Sequence, residues 1–388
     1  MQAIKQLYRI GYGPSSSHTI APFRIAQLYR REYPESKTFH IVLGGSLALT
    51  ARGHGTIDII KRALGSEAVD FEFDLDDPEN NMLIRSDNGS DWHSRSLGGG
   101  AVHIEEYDVG DEDEVYEAQN FEDIKQYLKE HEISLLDYIY LHEPDLKDYL
   151  KECIKIMIDA VEKGLHSEGL LNADLNYYRI AAKLYEKAIQ KDDYLVAYSY
   201  ACCEENAAGG LMCTAPTLGA CGILTSLMYY LHFNEKRDID LLCDMLAIGG
   251  IFGNCIKKNA SIAGSTGGCQ AEVGTACSMA SAAIAFMNGF DLHSIEYAAE
   301  MGIEHFLGLT CDPVLGYVII PCIERNAISI LRAYDCAYLA CQLNNIKGNA
   351  ISFDSVVNAM NYTGHKLATE LKETSLGGLS LEYKNAKN

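Results

Sequence analysis

The stretch MLIRSDNGSDWHSRSLGGGAVHIEEYDV, residues 82–109, determines how the N-terminal part of this 388-residue chain folds. Its apolar runs have the length and alternation of β-strands, and its three consecutive glycines mark a turn between strands. The same patterns occur upstream, with predicted strands at 39–43, 68–75, 82–85 and 101–109 and predicted helices at 19–33 and 57–64. These segments predict a small α/β domain with a mostly antiparallel sheet.

Beyond this stretch the pattern changes to helix. After an acidic turn at 110–114, helical periodicity covers 121–130, 145–164, 176–189 and the long Ala- and Cys-rich stretches after residue 194. Strand signals nearly vanish. We therefore predict an α+β protein with three parts: an α/β domain over 1–112, a helical connector over 113–165 and a larger all-helical domain over 166–388.

Composition and charge restrict the classes of function. Hydrophobic residues make up 48% of the chain and charged residues 22%, which is the balance of a globular protein with a large core. The formal net charge of −22 repels nucleic-acid phosphates and anionic lipid, so we expect no nucleic-acid partner. The N-terminus does not resemble a signal peptide, and no window has the roughly 20 uninterrupted apolar residues of a membrane span. We expect a cytoplasmic protein without a membrane partner.

Thirteen cysteines, none of them before Cys153, are the second compositional signal. An odd number of thiols in a large chain argues against a disulfide framework. Cys269, Cys311 and Cys322 lie at predicted helix breaks, where cluster ligands are often found, whereas others lie inside apolar helical segments. The spacing matches no standard zinc or ferredoxin motif. The thiols alone therefore leave a metal site and a core role both open.

Three glycine-containing turns in the N-terminal part are candidate ligand sites. GPSSSHT at 13–19 precedes a predicted helix, where hydroxyls and free N–H groups suit a carboxylate, although helix capping explains the same pattern. His54 lies between two glycines in RGHGT, where an imidazole suits general-base catalysis, although a surface turn is the commoner role. SLGGG at 96–100 predicts a close backbone approach to a ligand or to another domain.

Seven motifs resemble those of one known family, the iron–sulfur-dependent L-serine dehydratases (L-serine ammonia-lyases). GPSSSHT, GSLALTARGHGT and SLGGG resemble the substrate-side domain of that family. Four further motifs resemble the helical cluster domain of that family, namely TAPTLGACGIL, KKNASIAGSTGGCQAEVG, GLTCDPVLGYVIIPCIERNA and KETSLGGLS. The motifs follow the family's order and cover most of the chain, in the layout of its single-chain form.

This resemblance implies a cofactor, a reaction and a set of site residues. A 4Fe–4S cluster would be held by Cys269, Cys311 and Cys322, and its open iron would act as a Lewis acid on the hydroxyl of L-serine while His54 takes the Cα proton. Pyruvate and ammonia would be the products. The implied substrate site comprises Ser15, Ser16, Ser17, His18, Thr19, Gly98, Gly99, Thr214, Pro216, Thr217, Lys258 and Asn259. His18 lies at a predicted helix start and suits binding of the substrate carboxylate. The resemblance also leads us to expect a homodimer.

The chain departs from the family pattern at three places. Ile57 stands where an acidic residue often follows the Gly-His-x-Thr turn, with Asp58 adjacent. No cysteine follows Cys341, so we expect no inhibition by a C-terminal thiol. The stretch 81–92 lacks a His-Pro-Asn-Gly pattern and keeps only Asn88-Gly89.

Three other functions remain open from the sequence. A related iron–sulfur lyase would act on L-cysteine and release sulfide. A non-catalytic iron–sulfur sensor would have no need of the Ser/His motifs, and a zinc protein would carry a structural cysteine site. Product assays and metal analysis separate these alternatives.

Overall fold

The computed structural model describes residues 1–110, 113–344, 346 and 349–387. The strands in this part of the chain are β1 (Ile10–Tyr12), β2 (Phe39–Gly44), β3 (Val69–Asp74), β4 (Asn81–Ser86), β5 (Gly89–Gly98), β6 (Ala101–Ile104), β7 (Leu170–Asn172), β8 (Tyr177–Tyr178) and β9 (Leu211–Cys213). The α-helices are α1 (Ala21–Glu32), α2 (Gly45–Thr50), α3 (Thr56–Leu64), α4 (Phe121–His131), α5 (Leu135–His142), α6 (Leu146–Leu165), α7 (Ala181–Glu186), α8 (Lys191–Ala207), α9 (Cys221–Phe233), α10 (Ile239–Asn259), α11 (Gly264–Gly267), α12 (Thr275–Met287), α13 (Leu292–Glu304), α14 (Cys322–Asn344), α15 (Phe353–Lys366) and α16 (Gly378–Lys387). Short π-helical turns at Ser16–Ile20 and Gln270–Gly274 precede α1 and α12.

The N-terminal domain is built on a five-stranded sheet with the order β3-β2-β4-β5-β6. β2 and β3 are parallel and are connected through α2 and α3, while the other three pairings are antiparallel. The helices α1, α2 and α3 join the inward-facing side chains of the sheet, such as Ile41, Ile84 and Trp92, in one buried apolar cluster. The predicted α+β class with a mostly antiparallel sheet is confirmed.

Strand β5 is the strand of the five-stranded sheet that the sequence pattern missed. Its buried positions alternate as a strand requires, but two of them are Ser94 and Ser96 and only Trp92 is apolar. The hydroxyl of Ser94 is satisfied inside the sheet, where it donates to the carbonyl of Met82 at 2.6 Å. A buried strand face that contains serines lacks the apolar alternation by which strands are recognised. The predicted strand over 101–109 also proved too long, since β6 ends at Ile104.

The C-terminal part is predominantly helical. α10 and α12 pack against each other at its centre, surrounded by α6, α9, α13 and α14. α10 is long and apolar enough to cross a membrane, but 78% of its apolar window is buried inside the protein. The helix predicted at 176–189 is only partly correct: Asn176, with φ of +48°, turns the chain into the β7–β8 hairpin, and the helix covers only Ala181–Glu186.

The apolar side chains of the first ten residues pack with the helices rather than with the sheet. Ile4, Leu7 and Tyr8 are fully buried in the helical core, and β1 pairs antiparallel with β9. Thr214 strengthens this connection because its hydroxyl donates to the carbonyl of Leu7 and accepts from the N–H of Arg9, both at 2.6 Å. The sheet domain is therefore flanked on both sides by chain that belongs to the helical core.

The β5–β6 turn makes a close approach between the two domains. Gly98 has φ of +93°, and a Cβ atom there would lie 2.8 Å from Cβ of Ala263 in the loop before α11. A Cβ atom at Gly99, where φ is +59°, would lie 2.8 Å from Cδ1 of Ile262. The approach predicted for SLGGG is thus made to the other domain, and these positions exclude a side chain for both conformational and steric reasons.

We predict that Gly98→Ala lowers the free energy of unfolding by about 1–3 kcal/mol more than Gly169→Ala, as measured by chemical denaturation. Gly169 is a matched control, since its φ of +95° imposes the same backbone strain while its Cβ position has no atom within 4 Å. Equal losses in the two variants would show that the contact with Ala263 does not restrict this turn.

Candidate active site

Two histidines and a glutamate meet in the interior where the two domains join. His18 lies on the π-helical turn before α1, His54 on the turn between α2 and α3, and Glu373 on the segment before α16. Oε1 of Glu373 lies 3.6 Å from Nδ1 of His18 and 3.5 Å from Nε2 of His54. The two imidazole rings stack with their centroids 4.3 Å apart. All three side chains are buried, so the structure joins two of the predicted site residues with a carboxylate that was not predicted.

The charges of this group follow from its burial. Burial, and then the neighbouring His54, lower the pKa of His18 to about 4 against the opposing effect of Glu373, so this ring is neutral at pH 7. Burial alone would raise the pKa of Glu373, but the two histidines and the Ser15 hydroxyl lower it below its usual value. The group therefore contains an ionised carboxylate beside a neutral imidazole.

Several polar atoms of this group have no hydrogen-bond partner among the described residues. They are both ring nitrogens of His54 and Oε2 of Glu373. A buried polar atom left without a partner costs about 1–3 kcal/mol, and such atoms are rare in folded proteins. Their concentration at one point indicates a place where a polar ligand binds.

A hydrogen-bonded network continues from His18 into both domains. Its Nδ1 lies 3.1 Å from the Ser15 hydroxyl, and its Nε2 lies 3.1 Å from the hydroxyl of Ser46 at the start of α2. The Ser46 hydroxyl donates to Oδ1 of Asn80 at 2.8 Å, and Nδ2 of Asn80 donates to the Ser265 hydroxyl at 3.1 Å. This network fixes the orientation of the His18 ring at both nitrogens.

The C-terminal segment joins the histidines to the predicted cluster ligands. The N–H of Cys311 donates to the carbonyl of Leu371 at 2.8 Å, and the N–H of Glu373 donates to the carbonyl of Cys311 at 2.6 Å. Cys269 directly precedes the second π-helical turn, and Cys322 begins α14. Electrostatic coupling links the three thiols to one another, and those of Cys311 and Cys322 to Glu373. The histidine group and the cysteine group thus form one continuous site.

The chemistry of the cysteine group suits a positively charged metal centre. Burial raises the pKa of Cys269 to about 11 and those of Cys311 and Cys322 well above their usual value, while Arg325 opposes the rise at Cys269 and Cys322. Burial and the charge of Glu373 also raise the pKa of the neighbouring Glu272 to about 8. These groups resist ionisation because they lie together away from water, and bound iron would remove that penalty. The three thiols therefore fit a cluster.

Other predicted site residues line the same region or shape it. Thr217 donates to Oε1 of Glu272 at 2.8 Å. Ser16 and Ser17 are buried in the π-helical segment. The hydroxyl of Thr19 lies 2.6 Å from the carbonyl oxygens of both Tyr12 and Ser15, which precede that segment. The carbonyl of Pro216 lies 3.6 Å from the Cβ position of Gly99, which places both beside the contact between the domains.

Three predicted residues are engaged in other contacts. Lys258, at the exposed end of α10, pairs with Glu114 at 2.5 Å. The amide of Asn259 donates to the carbonyls of Gln119 and Cys255. Thr214 joins the N-terminal strand to the helical core, as described above. The contacts of these three side chains are structural.

Glu373, Glu272, Ser46 and Asn80 were missed by the sequence reasoning. Glu373 and Ser46 do lie inside the quoted motifs KETSLGGLS and GSLALTARGHGT, and Glu272 inside KKNASIAGSTGGCQAEVG, but no local pattern distinguishes them from surface or capping residues. Asn80 directly precedes the stretch where the His-Pro-Asn-Gly pattern was sought. Their role depends on contacts made across the fold.

Comparisons with known proteins show which proteins the chain is similar to. The family model described as "Serine dehydratase alpha chain" matches residues 74–380, and the one described as "Serine dehydratase beta chain" matches residues 3–84. The chain is 32% identical to the L-serine dehydratase of Haemophilus influenzae, over 98% of this chain and 99% of that protein. It is 33% identical to L-serine dehydratase 1 of Escherichia coli, with the same coverage, and 31% identical to the L-serine dehydratase of Streptomyces coelicolor, over 98% of each.

The lowered pKa of His18 predicts how stability depends on pH. Below pH ~6.5 the unfolded chain gains a proton that the folded His18 excludes down to a pH of about 4, so the free energy of unfolding should fall by up to about 1.4 kcal/mol per pH unit in this window. His18→Gln should show a smaller fall between pH 7 and pH 5 in urea titrations. His365→Gln, at an exposed histidine, is the control and should keep the wild-type slope. An unchanged slope in His18→Gln would contradict the assignment of a neutral His18.

Proposed function

Because the chain belongs to the L-serine dehydratase family, we propose that it converts L-serine to pyruvate and ammonia with a 4Fe–4S cluster held by Cys269, Cys311 and Cys322. The family membership inferred from the motifs is confirmed: both family models match this single chain, and relatives align over nearly all of it. The observation that carries the proposal is the buried group of His18, His54 and Glu373, with its unpaired atoms, directly beside the Cys311 loop.

The histidine side of the site supplies the proton transfer. With Nε2 of His54 facing Oε1 of Glu373 at 3.5 Å, a proton on that nitrogen leaves the lone pair on the unpaired Nδ1, which we assign as the base for the Cα proton. Glu373 then stabilises the imidazolium that forms, as an orienting carboxylate does beside other catalytic histidines. Burial of the whole group keeps water away from the acidified carbon.

The remaining parts of the site bind the substrate and assist the departure of its hydroxyl. The hydroxyls and N–H groups at the start of the Ser16–Ile20 turn suit the substrate carboxylate. When bound, the cluster would supply a Lewis-acidic iron that polarises the leaving hydroxyl. The aminoacrylate left after elimination tautomerises and hydrolyses to pyruvate and ammonia, so no further group on the chain is required.

The assembly and location of the protein are separate proposals. We propose that the protein is a cytoplasmic homodimer. We also propose that it has no nucleic-acid or membrane partner, and the net charge of −22 supports this second proposal. We also retain the division into 1–112, 113–165 and 166–388 as functional parts. Desulfidation of L-cysteine is the alternative activity, and it is tested as a second substrate in the assay below.

The proposed function is tested by anaerobic purification, quantification of iron and sulfide, and a pyruvate assay with L-serine and L-cysteine. Cys269→Ala, Cys311→Ala and Cys322→Ala should each lose the visible absorbance of the cluster and the activity. Cys243→Ala and Cys336→Ala are matched controls at buried helical positions and should keep both, with at most a moderate loss of stability. A full cluster in any of the first three variants would exclude that residue as a ligand.

The two histidines should differ in their kinetic effects. His54→Ala should lower kcat about 10²–10⁴-fold with the cluster absorbance intact, because a general base is lost. His18→Ala should raise KM at least as strongly as it lowers kcat, because a ground-state contact is lost. Steady-state kinetics with L-serine measure both effects. A rise in KM at unchanged kcat for His54→Ala would reverse the two assignments.

A further inference from the structure

The hydrogen bonds around Asn80 determine which nitrogen of His18 carries the proton. The backbone N–H of Ser46 donates to Oδ1 of Asn80 at 2.9 Å, which identifies that atom as the amide oxygen. The Ser46 hydroxyl lies 2.8 Å from the same oxygen and has a single proton, which it donates there. The Ser46 hydroxyl can then only accept from His18, at 3.1 Å. The proton of the neutral ring is therefore on Nε2.

The opposite nitrogen of His18 consequently presents a lone pair to the site. Its Nδ1 faces Oε1 of Glu373 at 3.6 Å, and both atoms lie within hydrogen-bonding reach of the one Ser15 hydroxyl, at 3.1 and 3.4 Å. Oε2 of Glu373 accepts no hydrogen bond from any residue that the structure describes. One hydroxyl proton thus faces two of these three acceptor atoms and none faces the third, apart from any proton that His54 directs at Glu373. This excess of acceptor atoms suits a ligand with several N–H donors, such as an ammonium group.

We propose that His18 and Glu373 bind the ammonium group of the substrate, and that Asn80, acting through Ser46, is the positioning residue that keeps His18 an acceptor. This inference rests on the proposed function for the identity of the substrate as an amino acid. It differs from the sequence expectation that His18 binds the carboxylate, because a carboxylate needs a donor and Nδ1 is not one. The carboxylate is left to the donors of the Ser16–Ile20 turn.

The first test compares two ligands that differ only in the group concerned. L-Glycerate keeps the carboxylate and the 3-hydroxyl of L-serine but has a neutral hydroxyl in place of the ammonium. Stopped-flow titration of the anaerobic holoenzyme, read from the absorbance of the cluster before turnover, should give a Kd for L-serine at least about 100-fold below that for L-glycerate, since a site built for an ammonium donor rejects an analogue lacking it. Equal affinities of the wild-type protein for the two ligands would overturn the proposal.

The second test separates positioning by Asn80 from a structural role. Asn80→Ala and Ser46→Ala should each raise Kd and KM for L-serine about tenfold or more, because the Ser46–His18 hydrogen bond no longer fixes the acceptor, while Kd for L-glycerate changes by less than about threefold. Since Asn80 acts through the Ser46 hydroxyl, the double variant should resemble Ser46→Ala alone. Asn80→Asp keeps the acceptor oxygen and should retain the preference for L-serine.

Ser265→Ala is the matched control for the other contact of Asn80. It removes the partner of Nδ2 without changing the proton on His18, and it should keep the ratio of the two Kd values. Additive effects in the double variant, or equal weakening of both ligands by Asn80→Ala and Ser265→Ala, would assign Asn80 a purely structural role and overturn the proposal. Absence of pyruvate formation by the wild-type enzyme would instead refute the proposed function, and the binding ratio would still report on the ammonium site.

Discussion

A carboxylate that is ionised and buried needs partners, and the partners of Glu373 come from widely separated parts of the chain. Ser15 and His18 lie in the turn before α1, and His54 lies in the turn between α2 and α3. The backbone of Cys311 belongs to the loop between α13 and α14. Taking such a charge out of water costs several kcal/mol unless charged or polar groups surround it. The C-terminal segment, the two N-terminal turns and the cysteine loop therefore stabilise one another, and none of them has its full set of partners without the rest.

The same carboxylate divides the site into two electrostatic halves. Glu373 is ionised because histidines and a hydroxyl surround it, whereas Glu272, beside the thiols, has its pKa raised to about 8 by burial and by the charge of Glu373. Two acidic groups with different proton affinities in one site are typical of enzymes that move protons at neutral pH. Here the difference between the two pKa values arises from position, because Glu373 faces the two imidazoles and Glu272 faces the thiols.

The features that could be predicted from the sequence are those that produce a pattern among neighbouring residues. The sheet, most helices and the glycine turns follow from patterns within a few residues, and His54 and the three cysteines follow from motifs. β5 was not predicted because its buried face contains serines in place of apolar residues. The pairing of β1 with β9 was not predicted because a three-residue strand is too short to show hydrophobic periodicity. Glu373 could not be predicted as a partner of His18, because a contact between residues 355 positions apart produces no local sequence pattern around either residue. Ser46 and Asn80 are polar residues near turns, and only their geometry distinguishes them.

The pairing of β1 with β9 also affects how the chain is made. Ile10 is paired with Cys213, about 200 residues further along, so the first strand leaves the ribosome long before its partner exists. At synthesis rates of about 5–20 residues per second, this delay is roughly 10–40 seconds. During that time Ile4, Leu7 and Tyr8, which pack in the helical core of the folded protein, are exposed apolar side chains of the nascent chain. The sheet domain can complete its own core in this interval, so residues that are synthesised before the sheet domain are buried after it.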